Sequence, residues 1–238
     1  MAKYKELYEA LQNDIDSGKL EVGTKLPSEI DLMETYQVSR DTIRKALDLL
    51  VLNGYIFKVH GKGSFVMERS RFNFPVAGLS SFKELSEGMQ FKDAKTHVTE
   101  LSLVMSMEKL REIFNVGEHE KVWRVHRVRE INGSRVILDK DYFLESVVKK
   151  LTLEICEGSI YEYIEKELGL SIGAARKEII IEWATDQDRK SLDMGEYVMV
   201  AVVNSYVYLT DGTLFQYHQS RHRPDKFRFV DLARRVIH

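Results

Sequence analysis

The sequence predicts an α+β protein in two parts. Up to residue 66 it reads as three short helices with capping residues, followed by a hairpin turned on glycines. From residue 79 onward, strands and short helices alternate, and Asn132-Gly133 and Asp211-Gly212 sit as tight turns between long apolar-rich strands. That is the pattern of a mainly antiparallel sheet with flanking helices. Between the parts, residues 67–78 (MERSRFNFPVAG) mix charge, Asn, Pro and Gly without periodicity and read as a linker. The expected domains are therefore 1–66 and 79–238.

In the first part, Tyr4, Leu7, Tyr8, Leu11 and Ile15 recur at the spacing of an amphipathic helix, and Gly18 stands where a helix ends. Ser28, just after Pro27, is placed to cap a second helix, with Asp31 three residues on. Leu32 and Met33 would face inward. After a break at Tyr36-Gln37-Val38, Ser39 caps a third helix to about Asn53, with Ile43, Ala46, Leu47 and Leu50 as its apolar stripe and Gly54 as its stop. Two helices across a tight turn outline a helix-turn-helix. Arg40, Thr42, Arg44 and Lys45 lie at the start of the second, off the stripe, where a recognition helix carries residues that reach bases and phosphates. Ile56–His60 and Ser64–Met67 then read as strands around Gly61-Lys62-Gly63, a wing with a basic tip.

Charge follows this division. Residues 1–39 hold 4 Lys/Arg against 8 Asp/Glu, and residues 40–66 hold 5 against 2. Overall net charge is only −2, so a nucleic-acid contact would be confined to one face. No apolar run approaches the ~20 residues of a membrane span, and the polar, periodic start is unlike a secretory signal. A single cysteine, Cys156, excludes an internal disulfide framework and reads as buried filler. A cytoplasmic protein is expected.

In the second part, Ser81 with Glu84 would open a short helix toward Gly88, and a second helix is expected over about Ser106–Phe114. Ser159 with Glu162 would open a third, to Leu168, and Asp186–Leu192 would form a short helical turn. Strands are expected at Lys121–Ile131, Val136–Phe143, Glu178–Ala184, Val198–Tyr208 and Thr213–Arg221. Along Lys121–Ile131, Trp123, Val125, Arg127, Arg129 and Ile131 share one face. Two arginines facing inward need counter-charge. Either internal carboxylates (Asp139, Asp141 or Glu130) supply it, or an anionic ligand does, phosphate suiting the guanidinium fork well. The capped helix start at Ser81, with Ser80 beside it, is a plain cap on one reading and the other half of an anion site on the other. A strict two-residue turn at Asn132-Gly133 would set Asp139 on the face opposite Arg127, and a bulge would bring it onto the same face.

Other chemistry is weakly represented. Gly61-Lys62-Gly63-Ser64 lacks the spacing of a phosphate-binding P-loop. His218 and His222 are four apart in an extended segment, which separates them too far for one metal, and no other histidine spacing suggests zinc. No cofactor is expected. An enzyme or carrier acting on a sugar phosphate is the alternative class, but no nucleophile–base pair or catalytic carboxylate pair is visible in the sequence.

Gly23-Thr24-Lys25-Leu26-Pro27-Ser28-Glu29, Val38 through Leu47, Leu50, Gly54, Ile56 and Gly61 through Val66 resemble the winged-helix domain of the GntR family of bacterial regulators. The resemblance implies DNA-facing roles for Ser28, Glu29, Ser39, Arg40, Thr42, Arg44, Lys45, Gly61, Lys62 and Gly63. The second part resembles the effector domain of the HutC subgroup, which has a chorismate-lyase-like fold and often takes phosphorylated sugars. That implies Ser80, Ser81, Phe82 and Arg127 at a phosphate, and Arg129, Asp139, Ser159, Gln216 and His222 at phosphate or sugar. The last two depart from the Glu and Tyr more usual there. The stretches Ser205–Tyr208, Leu214–Tyr217 and Ser220–Phe229 are similar to trehalose operon repressors of Gram-positive bacteria, whose inducer is trehalose 6-phosphate. The resemblance implies a homodimeric repressor on a palindromic operator.

Overall fold

The structure, a computed structural model, describes residues 3–59, 61–67, 82 and 93–229. They fall into two compact units: residues 3–67 with 228–229, and Phe82 with 93–227.

The first unit holds α1 (Lys3–Asp16), α2 (Glu29–Tyr36), α3 (Arg40–Leu52) and an antiparallel hairpin of β1 (Ile56–Val59) and β2 (Gly63–Val66). The apolar stripes meet as expected: Leu7 and Leu11 of α1, Leu32 of α2, and Ile43, Ala46, Leu47 and Leu50 of α3 close one core with Ile56 and Val66. Both caps form. Ser28 Oγ accepts the Asp31 amide at 3.2 Å while Asp31 accepts the Ser28 amide at 2.9 Å, and Ser39 Oγ accepts the Thr42 amide at 3.3 Å. The break between α2 and α3 turns on Gln37, held left-handed at φ 51°. Residues 23–26, unassigned from sequence, hydrogen-bond along β2: the Gly23 amide to the Val66 carbonyl at 2.9 Å, and the Leu26 amide to the Ser64 carbonyl at 2.8 Å.

The second unit is one six-stranded antiparallel sheet. Its strands are β3 (Lys95–Met105), β4 (Lys121–Ile131), β5 (Ser134–Leu144), β6 (Ile172–Trp183), β7 (Met199–Leu209) and β8 (Leu214–His222), in the order β3-β4-β5-β8-β7-β6. Helix α4 (Glu108–Phe114) joins β3 to β4, α5 (Leu153–Glu157) and α6 (Ile160–Lys166) lie between β5 and β6, and α7 (Asp186–Ser191) lies between β6 and β7. One sheet face packs Val125 and Phe143 against Cys156 of α5 and Ile160, Tyr163 and Ile164 of α6. The other packs Val122, Leu144 and Tyr217 against Leu110 and Phe114 of α4.

Several boundaries shift from expectation. Strand β3 and helix α5 carried no signal strong enough to assign. The second helix starts at Glu108, with Ser106 buried beside β4 rather than capping. Strand β6 begins at Ile172, six residues before Glu178, because it runs along the sheet edge where polar residues are tolerated. Ser159 caps α6 through the Glu162 amide at 3.2 Å. The helix expected from Ser81 to Gly88 lies outside the described residues apart from Phe82, as does the 67–78 linker beyond Met67.

The β4–β5 hairpin settles the register. Asn132 and Gly133 take positive φ of 52° and 76°, so the turn has two residues and pairs Ile131 with Ser134. A bulge follows: Glu130 pairs with Arg135, but Arg129 pairs with Ile137, leaving Val136 extra. Asp139 is thereby set directly opposite Arg127, on the arginine face.

Candidate functional site

In the first unit, α3 presents its first turns to solvent. Arg40, Arg44 and Lys45 are each at least 60% exposed in their side chains, and Lys62 is exposed at the wing tip between Gly61 and Gly63. Glu29, at the first position of α2, lies between the two arginines: Oε2 accepts from Arg40 Nε at 3.0 Å, and Oε1 is 3.5 Å from Arg44 Nε. The hydrogen bond from Arg40 holds the Glu29 carboxyl below its ordinary range. Ser39 and Thr42 share a hydroxyl contact at 2.9 Å, while Lys45 turns to Asp41 at 2.8 Å. The fold thus brings Glu29, Arg40 and Arg44 together and holds Ser28 and Ser39 as caps.

In the second unit, one sheet face carries a continuous polar cluster. Arg127 Nη2 donates to Asp141 Oδ2 at 2.7 Å. Arg129 donates from Nε to Asp139 Oδ2 at 2.8 Å and from Nη1 to Thr96 Oγ1 at 2.6 Å, and the Phe82 ring lies 4.3 Å from its guanidinium carbon. Internal carboxylates therefore supply the counter-charge that the arginines require. Arg127 Nε is buried and has no hydrogen-bond partner among the described residues.

Strand β8 adds the rest through its period-two alternation. Gln216 Nε2 and His218 Nδ1 each reach Asp141 Oδ1 at 2.8 Å, and Gln216 accepts from Tyr161 Oη of α6 at 3.0 Å. Ser220 Oγ donates to Asp139 Oδ1 at 2.6 Å and stands 2.9 Å from His222 Nε2. His218 and Ser220 were not among the expected ligand residues. Both lie on the same face, alternating between Gln216 and His222, and the sequence alone suggests His218 only as a candidate metal ligand. Lys177, half-buried on β6, was also missed. It pairs in register with Ser205, Ser205 with His218, and His218 with Asp141, so it lies on the same face. Ser159 stays at the α6 cap, two residues before Tyr161. Ser80 and Ser81 lie outside the described residues.

The electrostatics of the cluster follow from burial. Burial pulls the Arg129 guanidinium down to about 10, aided by the positive Arg127 beside it. Burial opposes charge on Arg127 too, but Asp141 and then Asp139 outweigh it and hold its pKa above the ordinary value. Burial disfavours ionised Asp141, yet Arg127 and His218 overcome this and keep it a carboxylate. His218 is held above its usual range because Asp141 outweighs desolvation; its other nitrogen is 3.7 Å from Asp139 Oδ1. His222 is pushed down to about 4 by burial, which outweighs the pull of Asp139.

The Ser220–His222 contact is a nucleophile–base pair that the sequence did not reveal. Its chemistry is wrong for attack, because Ser220 donates its proton to Asp139 and His222 is too weak a base near neutral pH. Cys156 is fully buried, with its thiol pushed up to about 11, and is inert filler as expected. Among the described residues no His, Cys, Asp and Glu group forms a metal site, and no helix is long and apolar enough to cross a membrane.

Residues 3–66 match the family model described as "Bacterial regulatory proteins, gntR family", and residues 89–228 match the UTRA domain. The chain belongs to the GntR family. It is 49% identical over 233 residues to the HTH-type transcriptional regulator TreR of Bacillus subtilis, an alignment spanning 98% of both chains. It is 28% identical to the transcriptional repressor NagR of the same organism, covering 98% of this chain and 95% of that one. Among solved structures, YydK of Bacillus subtilis superposes with TM-score 0.80 at 30% identity, covering 98% of this chain and all of that one. The effector-binding domain of the Bacillus subtilis trehalose repressor gives TM-score 0.55 at 52% identity, covering 60% of this chain and 99% of that one. This GntR-family chain is accordingly a DNA-binding transcriptional regulator with a UTRA effector domain, and its relatives are regulators rather than enzymes.

Proposed function

We propose that this regulator is a cytoplasmic, homodimeric repressor of a sugar-utilisation operon, released from a palindromic operator by trehalose 6-phosphate. The observation that carries the effector reading is the cluster of Arg127, Arg129 and His218, which gathers two buried guanidiniums and an imidazole beside hydrogen-bonding side chains. A disaccharide phosphate needs one anion clamp and many hydroxyl partners. Arg127 and Arg129, with Ser80, Ser81 and Phe82, form the clamp. Asp139, Ser159, Gln216 and His222, with His218 and Ser220, meet the sugar hydroxyls. Likeness over the whole chain to TreR, the Bacillus subtilis trehalose repressor, supports a trehalose-derived effector.

On the DNA side, α3 enters the major groove with Arg40, Thr42, Arg44 and Lys45. Ser28 and Ser39 lie toward the phosphate backbone, Glu29 stands between Arg40 and Arg44, and the wing tip Gly61-Lys62-Gly63 touches the neighbouring phosphates or minor groove. Two-fold symmetry requires a second copy. The outer edge strand β6, with Ile181 60% and Trp183 70% exposed, offers it an apolar surface. Residues 67–78 link the domains and carry the ligand signal to the readers. Calorimetric titration with trehalose 6-phosphate, trehalose and glucose 6-phosphate, with and without operator, tests the reading. Saturable binding of trehalose 6-phosphate that weakens when operator is present is expected, and absence of binding overturns the effector assignment.

A further inference from the structure

Glu29 places a carboxylate in the middle of a surface that must approach a polyanion. Alone, it would oppose DNA binding. Its geometry gives it a use. Each carboxylate oxygen takes one arginine, Oε2 to Arg40 and Oε1 to Arg44, and in both cases through Nε. The two arginines are one turn apart on α3, so one carboxylate spans both. An arginine engaged at Nε keeps its two terminal amino groups for an end-on, two-point contact, the geometry that reads guanine O6 and N7. Glu29 is itself fixed: it is the first residue of α2, inside the Ser28–Asp31 capping box, at a helix end that favours negative charge.

We infer that Glu29 is a positioning residue for operator specificity, holding Arg40 and Arg44 by Nε so that their outer amino groups are set for bases while its charge discourages loose contact with phosphate. On a correct site, the arginines exchange little conformational freedom for base contacts. On random duplex, where only phosphates are available, the carboxylate repels the backbone and restrains the arginines from spreading toward it. The inference rests on α3 being the recognition helix.

The test uses full-length protein and the operator it selects from a random duplex pool. Affinities of wild type, Glu29→Gln and Glu29→Asp are measured for that operator and for a random-sequence duplex over a range of salt. Glu29→Gln is expected to weaken operator binding roughly ten-fold, near the low end for one two-point base contact. It is expected to tighten random-duplex binding a few-fold and to steepen that salt dependence by up to about one unit of slope as a freed arginine reaches phosphate. Glu29→Asp, shorter but charged, should recover part of the discrimination. Circular dichroism confirms that each variant is folded. An equal fall on both duplexes, or no change on either, overturns the inference. A changed base preference at a single operator position also overturns it, showing that Glu29 reads DNA directly. Arg44→Ala run in parallel separates the premise: if it binds operator like wild type, the recognition-helix reading itself fails.

Discussion

Arg127 and Asp141 form a buried ion pair on a diagonal between β4 and β5, with Nη2 2.7 Å from Oδ2 and the aspartate fully enclosed. Asp141 also accepts from Gln216 and His218, so a single carboxylate ties three side chains of the proposed effector site. Such a hub is costly to remove, because its partners are left buried without counter-charge.

Asp141→Ala should therefore destabilise the effector domain by about 3–5 kcal/mol, the usual effect of stripping one partner from a buried pair. Urea unfolding followed by tryptophan fluorescence, which reports on Trp123 and Trp183, would measure it. A loss below about 1 kcal/mol would mean that the pair is not maintained in solution.

Arg127→Ala separates sensing from reading. Asp141 keeps its two other donors, so the fold should survive, while the anion clamp loses its centre. We expect a repressor with ordinary operator affinity that no longer responds to trehalose 6-phosphate, measured by operator binding with and without the sugar. Arg44→Ala should do the reverse, losing about 1–3 kcal/mol of operator affinity with effector binding unchanged.

The two histidines of β8 should titrate in opposite senses. The folded pKa of His218 lies above its unfolded value, so its contribution is present below about pH 6.5 and is lost as pH rises through the folded pKa. His222 is lowered from 6.5 to about 4. Between those values the unfolded chain takes up a proton that the folded chain refuses, and stability falls as pH drops. His222→Gln should therefore gain stability relative to wild type on going from pH 7 to pH 5, by on the order of 2 kcal/mol. His218→Gln should be more damaging below about pH 6.5 than at alkaline pH. Urea midpoints across this range would show both trends.

At the wing, Gly63 has φ +107°, and a Cβ placed there would stand 2.9 Å from Lys25 Cε. Gly63→Ala should cost about 1 kcal/mol or more through backbone strain, with the Lys25 side chain displaced. Thermal melting of the full chain would record it as a lowered first transition.

What could be read from the sequence followed from local rules. Ser28 and Ser39 announced their helices because a cap is a short-range hydrogen bond, and Asn132-Gly133 announced its hairpin because only such residues take two successive positive φ angles readily. The arginine face of β4 was legible from alternation alone. What was not legible depended on distant partners. Val136 bulges without any sequence mark, and that single extra residue decides that Asp139 faces Arg127. Strand β3 opens on three consecutive polar residues and closes on three apolar ones, without the clean alternation that would separate it from loop. Glu29 was legible as a DNA-facing candidate, but its place between Arg40 and Arg44 required the packing of α2 on α3. His218 was visible by spacing, and its role emerged only once two carboxylates were set around it.

Release of this regulator from its operator by trehalose 6-phosphate, as we propose, is measured by fluorescence anisotropy of labelled operator with full-length protein, titrated in the presence and absence of the sugar phosphate. A fall in operator affinity of roughly 5- to 150-fold, the range of an ordinary coupling between two sites, with trehalose alone inactive, is the predicted result. Unchanged or tightened operator binding at saturating trehalose 6-phosphate would contradict it.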